Sequence, residues 1–366
     1  VIPLVDLGWQ HEQIKAAVVP RLEDAMRNSN FILGPAVREF EESFANYAGI
    51  DFCVGVGSGT DALELAIRSL DLPMESEIIV PTNSFIASAS AVVRAGHRPV
   101  LVDVDAETSL IDLESIERQL SPRTGAVMPV HLYGRLVPLA GLSEMAKRRG
   151  FRIIEDAAQS HGARTPHATL GTYSDVVATS FYPGKNLGAY GDGGAVLTND
   201  TEIAERVRRL RDHGSTSKYQ HVEVGTNSRL DALQAVVLSE KLRHLDHWNK
   251  LRRNAAERYD ELLRREERIR RPEIVAGAQH VWHLYVIQVS ERDSVLAHLN
   301  QHGVGAGIHY PVPIHLQPAM TSFIHSTPEL PVAERLANSI ISLPLYPGLS
   351  EGQQEHVVEL LIQGLQ

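Results

Sequence analysis

The sequence has one cysteine, Cys53, among 366 residues. That excludes an intramolecular disulfide and any cysteine-rich metal cluster, and leaves only a bridge to another chain. Positive charge is not in excess: 35 Lys and Arg stand against 45 Asp and Glu, a net charge of −10. This argues against a nucleic-acid partner, whose phosphates attract the opposite sign. No run approaches the ~18 apolar residues of a membrane span. The opening VIPLVDLGWQ lacks the basic stretch and apolar core of a secretory leader. The expected location is the cytoplasm, without a membrane partner. Walker-type phosphate loops, Gly-x-Ser-x-Gly elbows and HExxH motifs are all missing, as are repeats and low-complexity tracts. Of the 17 histidines, His244 and His247 lie three apart on a helical stretch and read as a solvated face. No metal site is expected.

What is present is ordinary globular composition, 43% hydrophobic and 22% charged. The length suggests about two domains at roughly 100–200 residues each. Strand-like runs occur at Phe52–Val56, Glu77–Val80, Pro99–Val104, Ala126–His131, Arg152–Glu155, Val176–Ser180 and Gly194–Thr198. Several are apolar on both faces, as in strands covered on both sides. Helical patterns lie between them at Asp61–Leu70, Leu113–Leu120 and Leu142–Arg149. This alternation predicts an α/β domain with a mostly parallel sheet. From Ser228 to Arg268 there is no Gly or Pro, and apolar residues recur at helical spacing, predicting one long helix or two joined ones. Beyond Pro272 a smaller α+β unit follows, with a strand at Trp282–Val289, helices at Asp293–His302 and Glu351–Leu365, and a proline-rich loop at Tyr310–Pro318. The expected division is 1–240 and 241–366.

Several segments combine residues suited to chemistry. In Gly55-Val-Gly-Ser-Gly-Thr-Asp61, between strand and helix, a phosphate fits beside Gly59 and Thr60. Alternatively this is a tight turn with Thr60 or Asp61 as the helix cap. A dinucleotide fingerprint would need glycine at position 60, where threonine stands. Asp156 ends an apolar strand, where open α/β sheets place ligand groups. It either faces a cation or protonated ring nitrogen, or caps a helix, and Gln159 and His161 follow within a turn. Lys185, in Ser180-Phe-Tyr-Pro-Gly-Lys-Asn186, is either a solvated loop lysine or an amine poised for a Schiff base. Asn227 or Ser228 caps the long helix or faces a phosphate. His309 and Tyr310 bind a sugar, donate protons, or only pack.

Together these motifs resemble the pyridoxal 5′-phosphate (PLP) sugar aminotransferases of fold type I, the DegT/DnrJ/EryC1/StrS family. The resemblance runs through Phe31-Ile-Leu-Gly-Pro, Val37-Arg-Glu-Phe-Glu41, Gly57-Ser-Gly-Thr-Asp-Ala-Leu63 and Val80-Pro-Thr-Asn-Ser-Phe85. It continues through Glu155-Asp-Ala-Ala-Gln-Ser-His-Gly162, the Lys185 segment, Gly191-Asp-Gly-Gly194, Asn227-Ser-Arg-Leu-Asp231 and His309-Tyr-Pro. It implies a large domain on a mostly parallel seven-stranded sheet and a smaller α+β C-terminal domain. It implies that Lys185 bonds the cofactor and later moves a proton, and that Asp156 keeps the pyridine nitrogen protonated. Gln159 then lies near the ring hydroxyl and Phe85 stacks on the ring. Gly59, Thr60 and Ser180 form the phosphate cradle. Asn227 reaches the phosphate of a neighbouring subunit, making the active sites shared within a homodimer. Arg229, His309 and Tyr310 lie where family members meet substrate.

The resemblance further implies two half-reactions, with L-glutamate as amino donor. The acceptor it suggests is the C3 keto group of a dTDP-linked deoxyhexose, in deoxyaminosugar and antibiotic synthesis. Its two phosphates call for Arg or Lys near the site mouth. Some relatives are dehydratases with histidine in place of the lysine, so Lys185 favours transamination. Other readings are a C4 keto-sugar or keto-cyclitol aminotransferase, and a non-catalytic binding or regulatory protein on the same fold. A hydride-transferring dehydrogenase fails on Thr60. The segment Ala163–Gly171 departs from the usual family run, a basic, glycine-rich turn, and bears on which substrate is taken.

Overall fold

The computed structural model describes residues 1–273, 277–324 and 329–365. Two helices open the chain, α1 (Leu7–Arg27) and α2 (Pro35–Ala48). Then strand and helix alternate: β1 (Phe52–Val56), α3 (Gly59–Ser69), β2 (Glu77–Pro81), α4 (Ile86–Arg94), β3 (Arg98–Val102), α5 (Leu113–Gln119) and β4 (Thr124–Val127). After these come α6 (Ala140–Arg149), β5 (Arg152–Asp156), β6 (Val176–Ser180), β7 (Gly194–Thr198) and α7 (Thr201–Leu210). The seven strands form one sheet in the order β1-β7-β6-β5-β4-β2-β3. All pairings from β6 to β3 are parallel, and only β7 runs antiparallel to its two neighbours.

Side chains along each strand feed both faces. On β1, Val54 and Val56 join the core under α3, α4 and α7, while Cys53 joins the opposite core with Phe40, Phe44 and Phe181. On β6, Val176 and Ala178 face one way and Val177 the other. Burial on both faces explains the unbroken apolar runs in the sequence. The run read as Ala126–His131 stops at Val127, because Pro129 has no N–H to continue the ladder. The C-terminal ends of β1, β2, β5 and β6 lie on one edge of the sheet, and β7 begins there. Val56 pairs with Gly194, and Gly194 with Ser180, so three elements meet in one row.

Beyond a short hairpin, β8 (Ser215–Ser217) and β9 (Gln220–His221), the glycine-free stretch forms two joined helices, α8 (Ala232–Leu242) and α9 (Leu245–Leu262). The smaller unit pairs β10 (Tyr285–Gln288) with β11 (Ile340–Leu343). They pack among α10 (Arg292–Gln301), α11 (Pro331–Ser339) and α12 (Glu351–Gly364). Its core includes Tyr259 of α9 and Ile2, which bridges to Val304. Tyr310–Pro318 is irregular, with a short turn at Ile314–Leu316. Among the described residues, no helix is long and apolar enough to cross a membrane.

Candidate active site

Asp156 closes β5, and its carboxylate is buried beneath α4. Ser88 donates to Oδ2 at 2.8 Å, and the Ala158 N–H donates to Oδ1 at 3.2 Å. Burial pushes the carboxyl group above its ordinary range, while these two bonds and the charge of Lys185 pull it back. Glu155, one residue earlier, points to the other face. There it accepts from Gly171 N–H, 3.0 Å, and Ser174, 2.6 Å, and meets His131 Nε2 at 2.7 Å. His131 Nδ1 accepts the Val137 N–H, so Nε2 carries the hydrogen toward Glu155. Asp156 is therefore the acid that faces the site, and Glu155 anchors the stretch after Ala163–Gly171. That departing segment also pairs through Arg164 with Gln279.

Lys185 sits on the loop after β6. Its N–H bonds Tyr182 O at 2.8 Å, and Ala189 N–H returns to Phe181 O at 2.8 Å. The side chain is half-buried. Burial lowers its amine to about 8, against the opposing pull of Asp156. Its charge also presses on His161, His283 and His309, so these groups surround it. Neighbouring Asn186 is buried and fixes the loop, donating to Asn249 Oδ1 at 2.9 Å and Val281 O at 2.8 Å. His161 is buried, and its Nε2 shares a 2.9 Å bond with Thr179. Burial drops it to about 3.

Gln159 accepts Tyr133 N–H at 2.6 Å and donates to Tyr310 Oη at 3.3 Å. Tyr310 stands 5.5 Å from the ring of Phe85, which is 53% exposed at the start of α4. Tyr133 Oη donates to His309 O at 2.5 Å, and His309 Nδ1 meets Ser342 Oγ at 2.8 Å. Burial lowers His309 to about 4. The structure thus gathers Asp156, Gln159, Lys185, Phe85, His309 and Tyr310.

Beside them is the turn before α3. The helix cap is Ser58, which accepts from Asp61 N–H at 3.1 Å, correcting the expected cap at Thr60 or Asp61. Ala62 N–H takes Ser58 O, so Gly59 and Thr60 keep the open N–H groups of the first turn. Ser180 is packed against them: a Cβ on Gly59 would lie 2.4 Å from Ser180 Cβ. A Cβ on Gly194 would lie 2.4 Å from Ser58 O. Two glycines thus let β6 and β7 pack closely against this helix start, whose open N–H groups suit an anion.

Asn227 and Arg229 fall elsewhere. Neither has a hydrogen bond, ion pair or ring contact with Lys185 or Asp156 among the described residues. Asn227 is exposed, and Arg229 pairs with Asp212 at 2.8 Å. Neither Asn227 nor Ser228 caps a helix, since α8 starts after Asp231. Ser88, Tyr133, Asn186, Thr179 and His283 were not singled out in the sequence. Ser88 left one trace, a polar residue on the otherwise apolar buried side of α4. Among the described residues, no group of three or more His, Cys, Asp or Glu could hold a metal ion.

Solved structures with this frame include aminotransferases. The crystal structure of S. venezuelae DesV in complex with a ketimine intermediate covers 100% of this chain and 98% of its own, with 42% identity and TM-score 0.96. That of ntda from Bacillus subtilis with bound cofactor PMP covers 95% and 81%, with 32% identity and TM-score 0.89. Fold and site define an aminotransferase that works with PLP. More particularly, the chain belongs to the DegT/DnrJ/EryC1/StrS aminotransferase family, whose model matches residues 12–362. It is 42% identical over 358 residues to a dTDP-3-amino-3,4,6-trideoxy-alpha-D-glucose transaminase of Streptomyces venezuelae, covering 98% of this chain and 94% of that one. It is 41% identical over 364 residues to a pleiotropic regulatory protein of Geobacillus stearothermophilus, covering 99% and 98%. The residues present suit the cofactor. The open N–H groups of Gly59 and Thr60 beside Ser180 suit a phosphate. Asp156 is a buried carboxylate whose charge gains from a cationic ring, and Lys185 is an amine that sheds its proton easily.

Proposed function

We propose that this enzyme moves an amino group from L-glutamate to the C3 keto group of a dTDP-linked keto-deoxysugar, for deoxyaminosugar synthesis of the kind found in antibiotic pathways. The observation that carries the chemistry is the half-buried Lys185, its amine lowered to about 8, within the field of buried Asp156. The acceptor is supported by the likeness to a named dTDP-sugar transaminase. Likeness to a regulatory protein is comparable, but the match to the aminotransferase family and to named sugar transaminases favours catalysis.

When bound, the cofactor withdraws electrons from the carbon that loses its proton. Lys185 would hold the cofactor and then carry that proton, its amine being largely unprotonated above pH 8. Asp156 holds a proton at the ring nitrogen by charge. Gln159, its amide held by Tyr133 N–H and Tyr310 Oη, would lie by the ring hydroxyl, and Phe85 would cover the ring face. The N–H groups of Gly59 and Thr60, with the Ser180 hydroxyl, would take the phosphate. His309 and Tyr310 border the space for the sugar. Asn227, exposed and with no side-chain partner among the described residues, suits a role on the phosphate of a second copy in a homodimer with shared sites. Arg229, bonded to Asp212 through Nη1, keeps other guanidinium N–H groups for substrate. The buried free thiol of Cys53 suits a reducing compartment such as the cytoplasm. The division at 1–240 and 241–366 separates the sheet from the β10–β11 unit.

The test is a panel of C3-keto and C4-keto sugar nucleotides and keto-cyclitols, each incubated with the pyridoxamine form of the enzyme. Products are identified by mass and NMR. Amination at C3 of the dTDP sugar is expected. Amination of only a C4-keto sugar or a cyclitol overturns the acceptor, and no amine transfer to any member overturns the activity.

A further inference from the structure

β1 is an edge strand, paired with β7 on one side only. In an antiparallel ladder, alternate residues turn both peptide groups away from the partner. On the open side of β1, Gly55 is one of them, yet neither of its groups is left bare. Its N–H donates to Glu41 Oε1 at 2.7 Å, and its C=O accepts from Arg211 Nη1 at 2.7 Å. The same two side-chain atoms are ion-paired at 2.5 Å, and both side chains are nearly buried. Two residues on, Gly57 N–H donates to Ser228 Oγ at 3.0 Å. The Ser228 hydroxyl donates to Asp61 Oδ2 at 2.8 Å, and its N–H is held by Arg211 O at 2.9 Å. Residue 55 must be glycine here, since a Cβ would stand 2.9 Å from Leu230 Cβ. Three side chains from α2, the end of α7 and the stretch before α8 thus occupy the place of an eighth strand.

A sheet edge needs no such device to avoid aggregation; a surface charge or a proline does that. Burying an ion pair is costly, and the best-attested gain is a fixed register. What this pair fixes lies directly ahead, the turn from Gly57 to Thr60. The motif Val37-Arg-Glu-Phe-Glu41 has had no role so far, and Glu41 is its last residue. We propose that Glu41, Arg211 and Ser228 are positioning residues for the cofactor phosphate, setting the Gly59 and Thr60 N–H groups through β1 without touching the ligand. This rests on the reading that those groups and Ser180 receive the phosphate.

The readout is equilibrium binding of PLP and of pyridoxal, which lacks the phosphate, to apoenzyme carrying Arg211→Met, Ser228→Ala or Ser180→Ala. A fold defect weakens both ligands alike; a misplaced cradle weakens PLP alone. The expected result for Arg211→Met and Ser228→Ala is a Kd for PLP raised about tenfold, the scale of one charge-assisted hydrogen bond, with pyridoxal unchanged within about twofold. Ser228→Ala removes only a hydroxyl and keeps the test decisive if Arg211→Met does not fold. If Ser180→Ala weakens PLP and Ser228→Ala changes neither ligand, or both equally, the clamp is overturned while the cradle stands. If Ser180→Ala changes neither ligand, the phosphate lies elsewhere and both readings fall.

Discussion

Ser88 donates its hydroxyl hydrogen to Asp156 Oδ2 at 2.8 Å, from a position 68 residues away in sequence. It is itself within 2.8 Å of Ser84 Oγ, one helical turn back. The bond fixes one oxygen of a carboxylate whose charge is costly where it lies, and it favours the ionised form. Ser88→Ala leaves only the 3.2 Å bond from Ala158. The carboxyl group then rises further, and a neutral acid at that point no longer holds a ring nitrogen protonated. The expected outcome is a kcat lower by about tenfold, the worth of one hydrogen bond to a charged group, with the acid limb of the pH–rate profile moved to higher pH. An unshifted profile would show that Ser88 does not hold this charge.

Lys185 gives a prediction with a definite sign. Burial favours the neutral amine, so its titration falls to about 8. Only the neutral amine attacks an aldehyde. Capture of added PLP by apoenzyme is therefore expected to accelerate as pH rises through about 8 and to level above it, as followed by stopped-flow absorbance. Lys185→Ala is expected to bind the cofactor without a covalent link, so borohydride no longer fixes it to the chain. Turnover retained in that variant would remove Lys185 from its role.

His161 bears on acid stability. It is buried, and its titration drops to about 3 from an ordinary value of 6.5. The unfolded chain therefore takes up this proton first as pH falls. The contribution is complete above pH 6.5 and is lost between 6.5 and about 3, at roughly 1.4 kcal/mol per pH unit. His283 and His309 shift in the same direction. His161→Gln cannot titrate and is expected to show a shallower fall of Tm between pH 6.5 and 4.5. An unchanged slope would mean that His161 is charged in the native state.

Much of the sheet was legible because its strands are buried on both faces and bounded by Gly or Pro. Phe52–Val56, Val176–Ser180 and Gly194–Thr198 were read with their observed ends. Lys185, Asp156, Gly59 and Ser180 were legible as motif positions, since Asp156 and Ser180 end strands and Gly59 and Lys185 follow one, on the edge where chemistry is placed. α1 left a weaker trace. Its buried residues are Gln10, Ile14, Val18 and Ala25, a thin stripe containing a polar residue, and Pro20 interrupts it. Contacts across long stretches of sequence were not legible at all. Ser88 on Asp156, and Ser228 on Gly57 and Asp61, depend on how helices pack on the sheet. For the same reason Ser228 looked like a helix cap: its hydroxyl suits one, but the fold gives it to the turn before α3.

The last prediction concerns the proposed two-chain site. Asn227 is exposed and lies on the segment that Ser228 ties to this chain's own cradle turn. If its amide reaches the phosphate of a second copy, Asn227→Ala damages the partner's site, whereas Lys185→Ala damages its own. A mixed dimer then carries one site with both defects and one with neither. Inactive or weakened Asn227→Ala and Lys185→Ala chains, mixed in equal amounts and allowed to exchange, are expected to recover about a quarter of the wild-type sites, since half the dimers are mixed and each has one intact site. Exchange is verified by native mass spectrometry of differently tagged chains, and recovered sites are counted by the glutamate-induced loss of cofactor absorbance. No recovery after confirmed exchange would place both residues in one chain's site and end the two-chain arrangement.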